Sequence, residues 1–386
     1  MRIALSTLGK FHTFDLAREL YARGALMAIF TGYPRFQLRN EGLPQDLIHT
    51  LPWIQSSYMA FPWKHHLSYS TIQQWEYLSA ISFGAYVARN LPECDLYVGL
   101  TGSALPAGKK VHERGGRYIC DRGSSHIRVQ DLLLREEHDR WDMPIPGIDP
   151  RTIDREEAEY AEADRITVPS SFAYRSFVEQ GIPAEKLRLL PYGVSVSRFQ
   201  PVAEPAVGRF DILFVGSMSL RKGVQYLVHA YQKVSHPGKS LTFVGAPSQK
   251  LITLLKIRGL WPSDVRVLGH MPQTDLKKVM SRSHVLVLPS IEDGFGLVMA
   301  QAMACGCPVI ASCNTGGEDL FSDGREGYIV PICDVDSLAD RLQKLADYPN
   351  ERAVMGQLAL ERVQSMGGWR KYGDNAMEIY GEVIQK

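Results

Sequence analysis

The chain has no excess of charge of either sign: 43 Lys and Arg against 42 Asp and Glu leave a formal net charge of +1 over 386 residues. Without a field of one sign the surface as a whole does not draw nucleic acid. No apolar run approaches the length of a membrane span. The opening stretch from Met1 to Lys10 is too short and too broken for a secretory signal, so it reads as a first strand and the protein as cytoplasmic. Cysteine is scarce. Cys94, Cys120, Cys305, Cys307, Cys313 and Cys333 fall at irregular spacings, which suits reduced, buried thiols and predicts no disulfide. Cys305-Gly306-Cys307 lacks a second ligand pair at a zinc-site spacing and reads as a buried helix end. No Asp-x-Asp is read in a strand-end loop, and Asp131 and Asp139 lack a fitting partner, so no metal site is expected.

What is present is enough apolar residue, 45%, to pack two cores, and a length that suits two domains rather than one. Short apolar strands alternate with amphipathic helices: Arg2–Ser6, a helix Thr13–Arg23, Leu26–Phe30, a helix around Ile72–Arg89, then strands Asp95–Gly99, Tyr118–Cys120, Ile166–Val168 and Leu187–Leu190. That alternation predicts an α/β domain with a parallel sheet covered on both faces. The stretch from Phe199 to Gly208 has two prolines and no apolar period, and reads as a linker. The alternation then restarts at Phe210–Val215 and runs through Leu241–Val244, Val265–Leu268, Val285–Leu288, Val309–Ala311 and Tyr328–Val330. The expected organisation is a first Rossmann-like domain 1–198, a linker 199–209, a second Rossmann-like domain 210–366 and a closing helix 367–386. Two doubly wound domains facing across a cleft make that cleft the default ligand site.

The densest signal is Pro289-Ser290-Ile291-Glu292-Asp293-Gly294-Phe295-Gly296-Leu297, followed by the helix-forming run Val298 to Ala304. An apolar strand ends in an acidic, glycine-bearing loop, and the helix after it offers free backbone N–H groups and a positive dipole end to a phosphate. Acidic residues beside an anion site make sense if a hydroxyl-rich group lies next to the phosphate. The second domain also opens with a strand and a Gly turn leading to Arg221-Lys222-Gly223. Adjacent cations at a helix start oppose the dipole unless a bound anion is expected there. Read alone, they are as well an ordinary solvated pair as a phosphate site.

The acidic loop resembles the nucleotide-sugar loop of the retaining glycosyltransferases of family 4 (glycosyl transferases group 1), whose fold is GT-B. The family pattern is Glu-Gly-Phe-Gly-Leu with a second Glu eight positions after the first. Here Asp293 stands at the first Glu and Gln301 at the second, with Glu292 able to take the first role one residue earlier. The resemblance implies that Asp293 or Glu292 holds donor-sugar hydroxyls, that Gln301 holds the ribose, and that Gly294, Phe295, Gly296 and Leu297 supply loop contacts. Lys222 matches the family's Lys. Ser217 occupies its usual Arg position, and Arg221 could substitute from the other end of the loop. Of the family's glycine pair in the first strand-to-helix loop only Gly9 remains, and such turns need glycine for geometry anyway. The segments Glu159–Ser171 and Gly181–Val194 also resemble the family, with Tyr192 where Asn is usual.

In the first domain Arg122-Gly123-Ser124-Ser125-His126 follows a strand and precedes a helix. By resemblance His126 orients the donor sugar at the reacting centre; read from its residues alone it is as well a capping or core histidine. His12, His65, His66 and His138 carry no such placement. Trp53 to Tyr77 interleaves aromatics with Lys64, His65 and His66, and reads as the core of an insertion or, if exposed, as an acceptor-stacking or peripheral membrane surface. The expectation is a metal-independent, cofactor-free glycosyltransferase, retaining by same-face attack with the leaving phosphate as base. It would pass sugar from a nucleotide diphosphate sugar to a glycan, lipid-linked or small-molecule hydroxyl. The alternatives are a GT-B nucleotide-sugar epimerase or hydrolase and a non-catalytic nucleotide-sugar-binding relative.

Overall fold

The protein is described from a computed structural model that covers residues 1–54 and 67–385. Two parallel sheets organise it. The first has the order β3-β2-β1-β4-β5-β6-β7, from β1 (Ile3–Thr7), β2 (Leu26–Thr31), β3 (Ile48–Thr50), β4 (Leu96–Leu100), β5 (Arg117–Asp121), β6 (Arg165–Val168) and β7 (Leu187–Leu189). The second has the order β10-β9-β8-β11-β12-β13, from β8 (Phe210–Val215), β9 (Lys239–Val244), β10 (Arg266–Val267), β11 (Val285–Leu288), β12 (Val309–Ser312) and β13 (Gly327–Val330). All five residues of β1 and all four of β11 are buried, as expected for central strands covered by helices on both faces. The expected strand at Val265–Leu268 shrinks to two exposed residues because it lies at the sheet edge.

The strand order reverses between β1 and β4 in one sheet and between β8 and β11 in the other. Side chains after those four strands therefore converge where open α/β sheets hold ligands. Helix starts there are fixed locally. Ser170 caps the helix Ser171–Glu179 by accepting from the Ala173 amide at 3.1 Å, and Asp149 caps Pro150–Glu162 with proline in the first turn. Each such cap stabilises by about 1 kcal/mol.

The helical stretch expected from Val335 to about Met366 is two helices, Val335–Asp347 and Pro349–Ser365. Proline forces the break: it has no N–H to continue the ladder and pushes the preceding Tyr348 to φ −117, ψ 71. The last helix, Gly368–Ile384, returns to the first domain and packs on the helix Thr13–Ala22. Arg23 locks it by donating to Asp374 at 2.6 Å, while Tyr372, Ala376 and Tyr380 are buried. All six cysteines are free, and Cys305 and Cys307 flank the left-handed Gly306 at a buried helix end.

Candidate functional site

A cleft of about 840 Å³ lies between the sheets. From the first domain it is lined by Lys10, His12, Asp15, Arg18, Thr101, Arg122, Gly123, Ser124 and Tyr192 among others, and from the second by Arg221, Gln273 and Leu297. Most of these belong to the loops and helices beyond β1, β4, β5, β8 and β11, so both topological reversals contribute, while Tyr192 follows β7 and Gln273 follows β10.

The two motifs of the second domain meet. The Ile291 amide donates to the Arg221 carbonyl at 2.8 Å, which ties the acidic loop to the cationic one. Arg221 Nε donates to Glu292 Oε2 at 2.8 Å and to the Glu292 carbonyl at 3.1 Å, and Lys222 is paired with Asp293. Arg221 reaches the cleft, whereas Lys222 and Asp293 are largely buried, with side chains 18% and 14% exposed. The cations at the helix start thus already have anionic partners, two carboxylates standing where a diphosphate would otherwise balance them.

Glu292, the alternative to Asp293, is engaged by the first domain. Its side chain is fully buried and accepts from Ser124 Oγ at 2.6 Å, Ser125 Oγ at 2.9 Å, the Ser125 amide at 3.1 Å and Gln130 Nε2 at 3.1 Å. Burial alone would raise its pKa, but the Arg221 charge and the serine hydrogen bonds outweigh it and lower the carboxyl to about 2. With every lone pair engaged by the first domain or by Arg221, this carboxylate is an interdomain clasp rather than a free sugar ligand.

His126 also differs from expectation. It caps the helix Ile127–Arg140 through Nδ1, is 2% exposed, and packs against Tyr160 and Phe177 at centroid distances of 5.1 and 5.0 Å. It does not line the cleft. Burial lowers its pKa to about 4, so the ring is neutral. Packing against Tyr160 and Phe177 holds the ring inward. The bland reading of this histidine, cap and core, is the one the structure adopts.

Phe295 is 2% exposed and packs edge-on against Tyr192 at 5.2 Å, anchoring the loop instead of facing the cleft. Gly294 lies against the first domain so closely that a Cβ there would sit 2.0 Å from the Gly123 carbonyl oxygen. Gly296 is left-handed at φ +77 and starts the helix Leu297–Ala304, whose first residue lines the cleft. Gln301 is partly buried on that helix, and Gly9 lies just before the cleft-lining Lys10 and His12, its carbonyl accepting from Thr31 Oγ1 at 3.1 Å.

Two residues to which the sequence assigns no chemical role lie on the cleft. His12, 5% exposed, lines the cleft, bonds Asp121 through Nε2 at 2.6 Å and stacks on Tyr192 at 4.1 Å. The available signal was its position in the first strand-to-helix loop; Asp121 lies 109 residues away, and only the β1-β4-β5 order brings it close. Tyr192 bridges His12, Phe295, Trp369 and Tyr372, and its buried hydroxyl has no hydrogen-bond partner.

The chain does contain an Asp-x-Asp after a strand, Asp334-Val335-Asp336. There Asp334 caps a helix by accepting from the Ser337 amide at 2.9 Å, and Asp336 pairs with Lys233. No group of three or more metal-ligating side chains occurs among the described residues. No helix among them is long and apolar enough to cross a membrane. In the aromatic stretch, Trp53 is 78% and Tyr69 55% exposed, against the expectation of a buried core, while Tyr77 lies under Arg151 at 4.3 Å. Tyr58, Phe61, Trp63, Lys64, His65 and His66 lie outside the described residues.

Residues 197–362 match the family described as glycosyl transferases group 1. The chain is 29% identical over 247 residues to a D-inositol 3-phosphate glycosyltransferase of Corynebacterium kroppenstedtii, covering 58% of this chain and 54% of the relative. It is 27% identical over 229 residues to an MMP alpha-(1->4)-mannosyltransferase of Mycolicibacterium hassiacum, covering 57% and 54%. The match thus spans about half the length of these curated relatives. Solved structures align along nearly the whole chain. Sucrose-phosphate synthase from Thermosynechococcus elongatus superimposes with a TM-score of 0.76 at 22% identity, covering 100% of this chain and 99% of its own. HepE from Anabaena, in complex with UDP and glucose, superimposes at 0.73 and 16% identity, covering 99% and 100%. At such identities the likeness is one of fold. The paired sheets, the facing loops and the matched segment lead to one conclusion: residues 197–362 are similar to the glycosyl transferases group 1, and the chain has the GT-B fold.

Proposed function

We propose that this protein transfers a sugar from a nucleoside diphosphate sugar to an acceptor hydroxyl in the interdomain cleft. The observation that carries this reading is the junction of Arg221-Lys222 with Glu292-Asp293 at the reversal of the second sheet. Binding of a diphosphate would exchange the Lys222–Asp293 pair for a cation–phosphate pair, freeing the Asp293 carboxylate for sugar hydroxyls. The helix start at Leu297 adds backbone N–H groups on the same side. Gln301 takes the ribose through its amide oxygen. Cations and helix dipoles together balance the leaving diphosphate without a metal ion, and the reaction retains configuration by same-face attack. The UDP and glucose in the HepE complex, at the same fold, support a nucleotide-sugar donor.

The first domain supplies the acceptor side. A glycan, a lipid-linked sugar or a small polyol fits the cleft's mix of charged and aromatic lining, and the exposed Trp53 and Tyr69 suit a peripheral membrane contact. Binding is tested by the melting temperature of the purified protein with UDP, GDP and ADP and their common sugars, with and without chelator. A rise for one nucleotide series that survives chelator supports the reading. No rise with any series, or a rise that chelator removes, overturns the metal-free donor site.

A further inference from the structure

The first-domain wall of the cleft carries a surplus of positive charge that the donor-binding argument does not use. The cleft is lined by five cationic side chains, Lys10, Arg18, Arg122, Arg198 and Arg221, against two carboxylates, Asp15 and Glu41. Two of the cations are already engaged outside this set: Arg122 pairs with Glu156 at 2.6 Å, both side chains 7% exposed, and Arg221 with Glu292 at 2.8 Å. The other three come from separate segments, Lys10 in the loop after β1, Arg18 on the helix Thr13–Ala22 and Arg198 just before the second domain. Glu41 takes Lys10 at 2.5 Å and Arg18 at 3.0 Å, and Arg18 also pairs with Asp15. Arg198 is left over. It is exposed and lines the cleft, and its guanidinium makes no hydrogen bond or ion pair among the described residues.

A lone exposed arginine is ordinarily just solvated, but the neighbours of this one argue otherwise. Burial pushes the Asp15 carboxyl above its ordinary value although Arg18, His12 and Arg198 pull it down. Three cations therefore share two carboxylates, one of which is disfavoured as an anion. Like charges gathered on one wall of a cleft repel one another and focus their field into it. That cost is offset when an anion sits among them. The donor diphosphate does not fill this place, since it is assigned to Arg221 and Lys222 in the facing domain. The helix Thr13–Ala22 starts at the same wall without a side-chain cap and adds its positive end. Cations arriving from three segments suit the several oxygens of a phosphate better than the two coplanar oxygens of a carboxylate. Asn40, exposed on the same wall, offers its amide to hydroxyls.

We propose that the acceptor carries a phosphate group, which Arg198 seats on the first-domain wall together with Lys10 and Arg18 while a hydroxyl of the same molecule faces the donor sugar. This rests on the transfer reading above and names its acceptor class. The acceptor oxygen bonds to the sugar's anomeric carbon, and the bond from that carbon to the diphosphate breaks with its electron pair staying on the diphosphate. The hydroxyl's proton leaves with the diphosphate. The acceptor's phosphate belongs either to a soluble sugar or polyol phosphate or to a lipid headgroup, since the same oxygens meet the same cations in both.

The test uses the full chain with UDP-glucose, GDP-mannose and ADP-glucose as donors and release of nucleoside diphosphate as the readout. Acceptors are given in matched pairs: glucose 6-phosphate against glucose, glycerol 3-phosphate against glycerol, and vesicles of phosphatidylinositol against vesicles of a neutral glucosyl diacylglycerol. The phosphate-bearing member of at least one pair should be favoured about tenfold or more in kcat/KM, the scale of one charge-assisted hydrogen bond. Whether that pair is soluble or vesicular tells the source of the phosphate. Arg198→Gln should cut the preference about tenfold through a raised acceptor KM, and Arg198→Lys should recover part of it. The melting-temperature rise given by the nucleoside diphosphate should be the same in both variants as in the wild type. A preference below about tenfold in every pair overturns the proposal and leaves the transfer reading standing. So does an Arg198→Gln variant that keeps the preference, or one that loses the diphosphate-induced rise, which would assign Arg198 to the donor. If the wild type releases no diphosphate with any acceptor, the transfer reading falls and this proposal with it.

Discussion

The Glu292 carboxylate, on a loop of the second domain, accepts from both the amide and the hydroxyl of Ser125 in the first, at 3.1 and 2.9 Å. It thereby joins the two domains as well as being the partner of Arg221. Glu292→Gln weakens the bonds to both. The expected cost is about 2 kcal/mol of stability, the scale of hydrogen bonds to a charged group, seen as a melting temperature lowered by a few degrees. Because the folded pKa is depressed from 4.5 to about 2, the wild type's advantage is full above pH 4.5 and fades as pH falls toward 2. An advantage that does not shrink in acid would show that the carboxylate's charge is not what the clasp uses.

Gly294→Ala places a methyl group 2.0 Å from the Gly123 carbonyl oxygen, and backbone on both sides cannot yield cheaply. The domains should be wedged apart, giving a larger radius of gyration by X-ray scattering and at least tenfold lower turnover. Scattering identical to the wild type would mean that the contact is not required for closure.

Lys222→Ala removes the cation facing Asp293 and leaves a largely buried carboxylate unpaired. The melting temperature of the ligand-free protein should fall modestly, by the equivalent of about 1–2 kcal/mol, and the rise given by a nucleoside diphosphate should disappear. Retention of that rise would remove Lys222 from the diphosphate site.

Tyr192→Phe deletes a buried hydroxyl that has no partner, so the ligand-free protein should be unchanged or up to about 1 kcal/mol more stable. If the hydroxyl is reserved for a ligand in the cleft, KM for donor or acceptor rises severalfold in the same variant. Lower stability with unchanged kinetics would show that the hydroxyl serves the fold.

Burial holds the His126 imidazole near pKa 4 against its ordinary 6.5. Between those values the unfolded chain binds the extra proton, so stability falls as pH drops from 6.5 to 4. His126→Gln should melt lower than the wild type at pH 7, with the gap narrowing toward pH 4. A gap constant across that window would argue against a neutral buried ring.

The acidic loop was legible because its chemistry is local: a strand, a turn and a helix in consecutive residues place Asp293, Gly296 and Leu297 by short-range geometry alone. The cationic turn at Arg221-Lys222 was legible for the same reason. The sequence leaves Glu292 and His126 open because each is decided by which way one side chain turns when another part of the chain arrives. For Glu292 that part is Ser124-Ser125 in the other domain, and for His126 it is Tyr160 and Phe177. His12 had no local mark beyond its loop, since its partner Asp121 is 109 residues away.

The sequence by itself determined the alternation of strand and helix, the two sheets and the glycine-bearing turns, because burial period, capping and backbone freedom act over a few residues. Only the tertiary structure decided which polar groups meet. The reversal of strand order in each sheet brings distant loops to one cleft, and burial there requires each carboxylate to find a donor. That requirement paired Glu292 with the serines and His12 with Asp121, while packing against Tyr160 and Phe177 turned His126 inward.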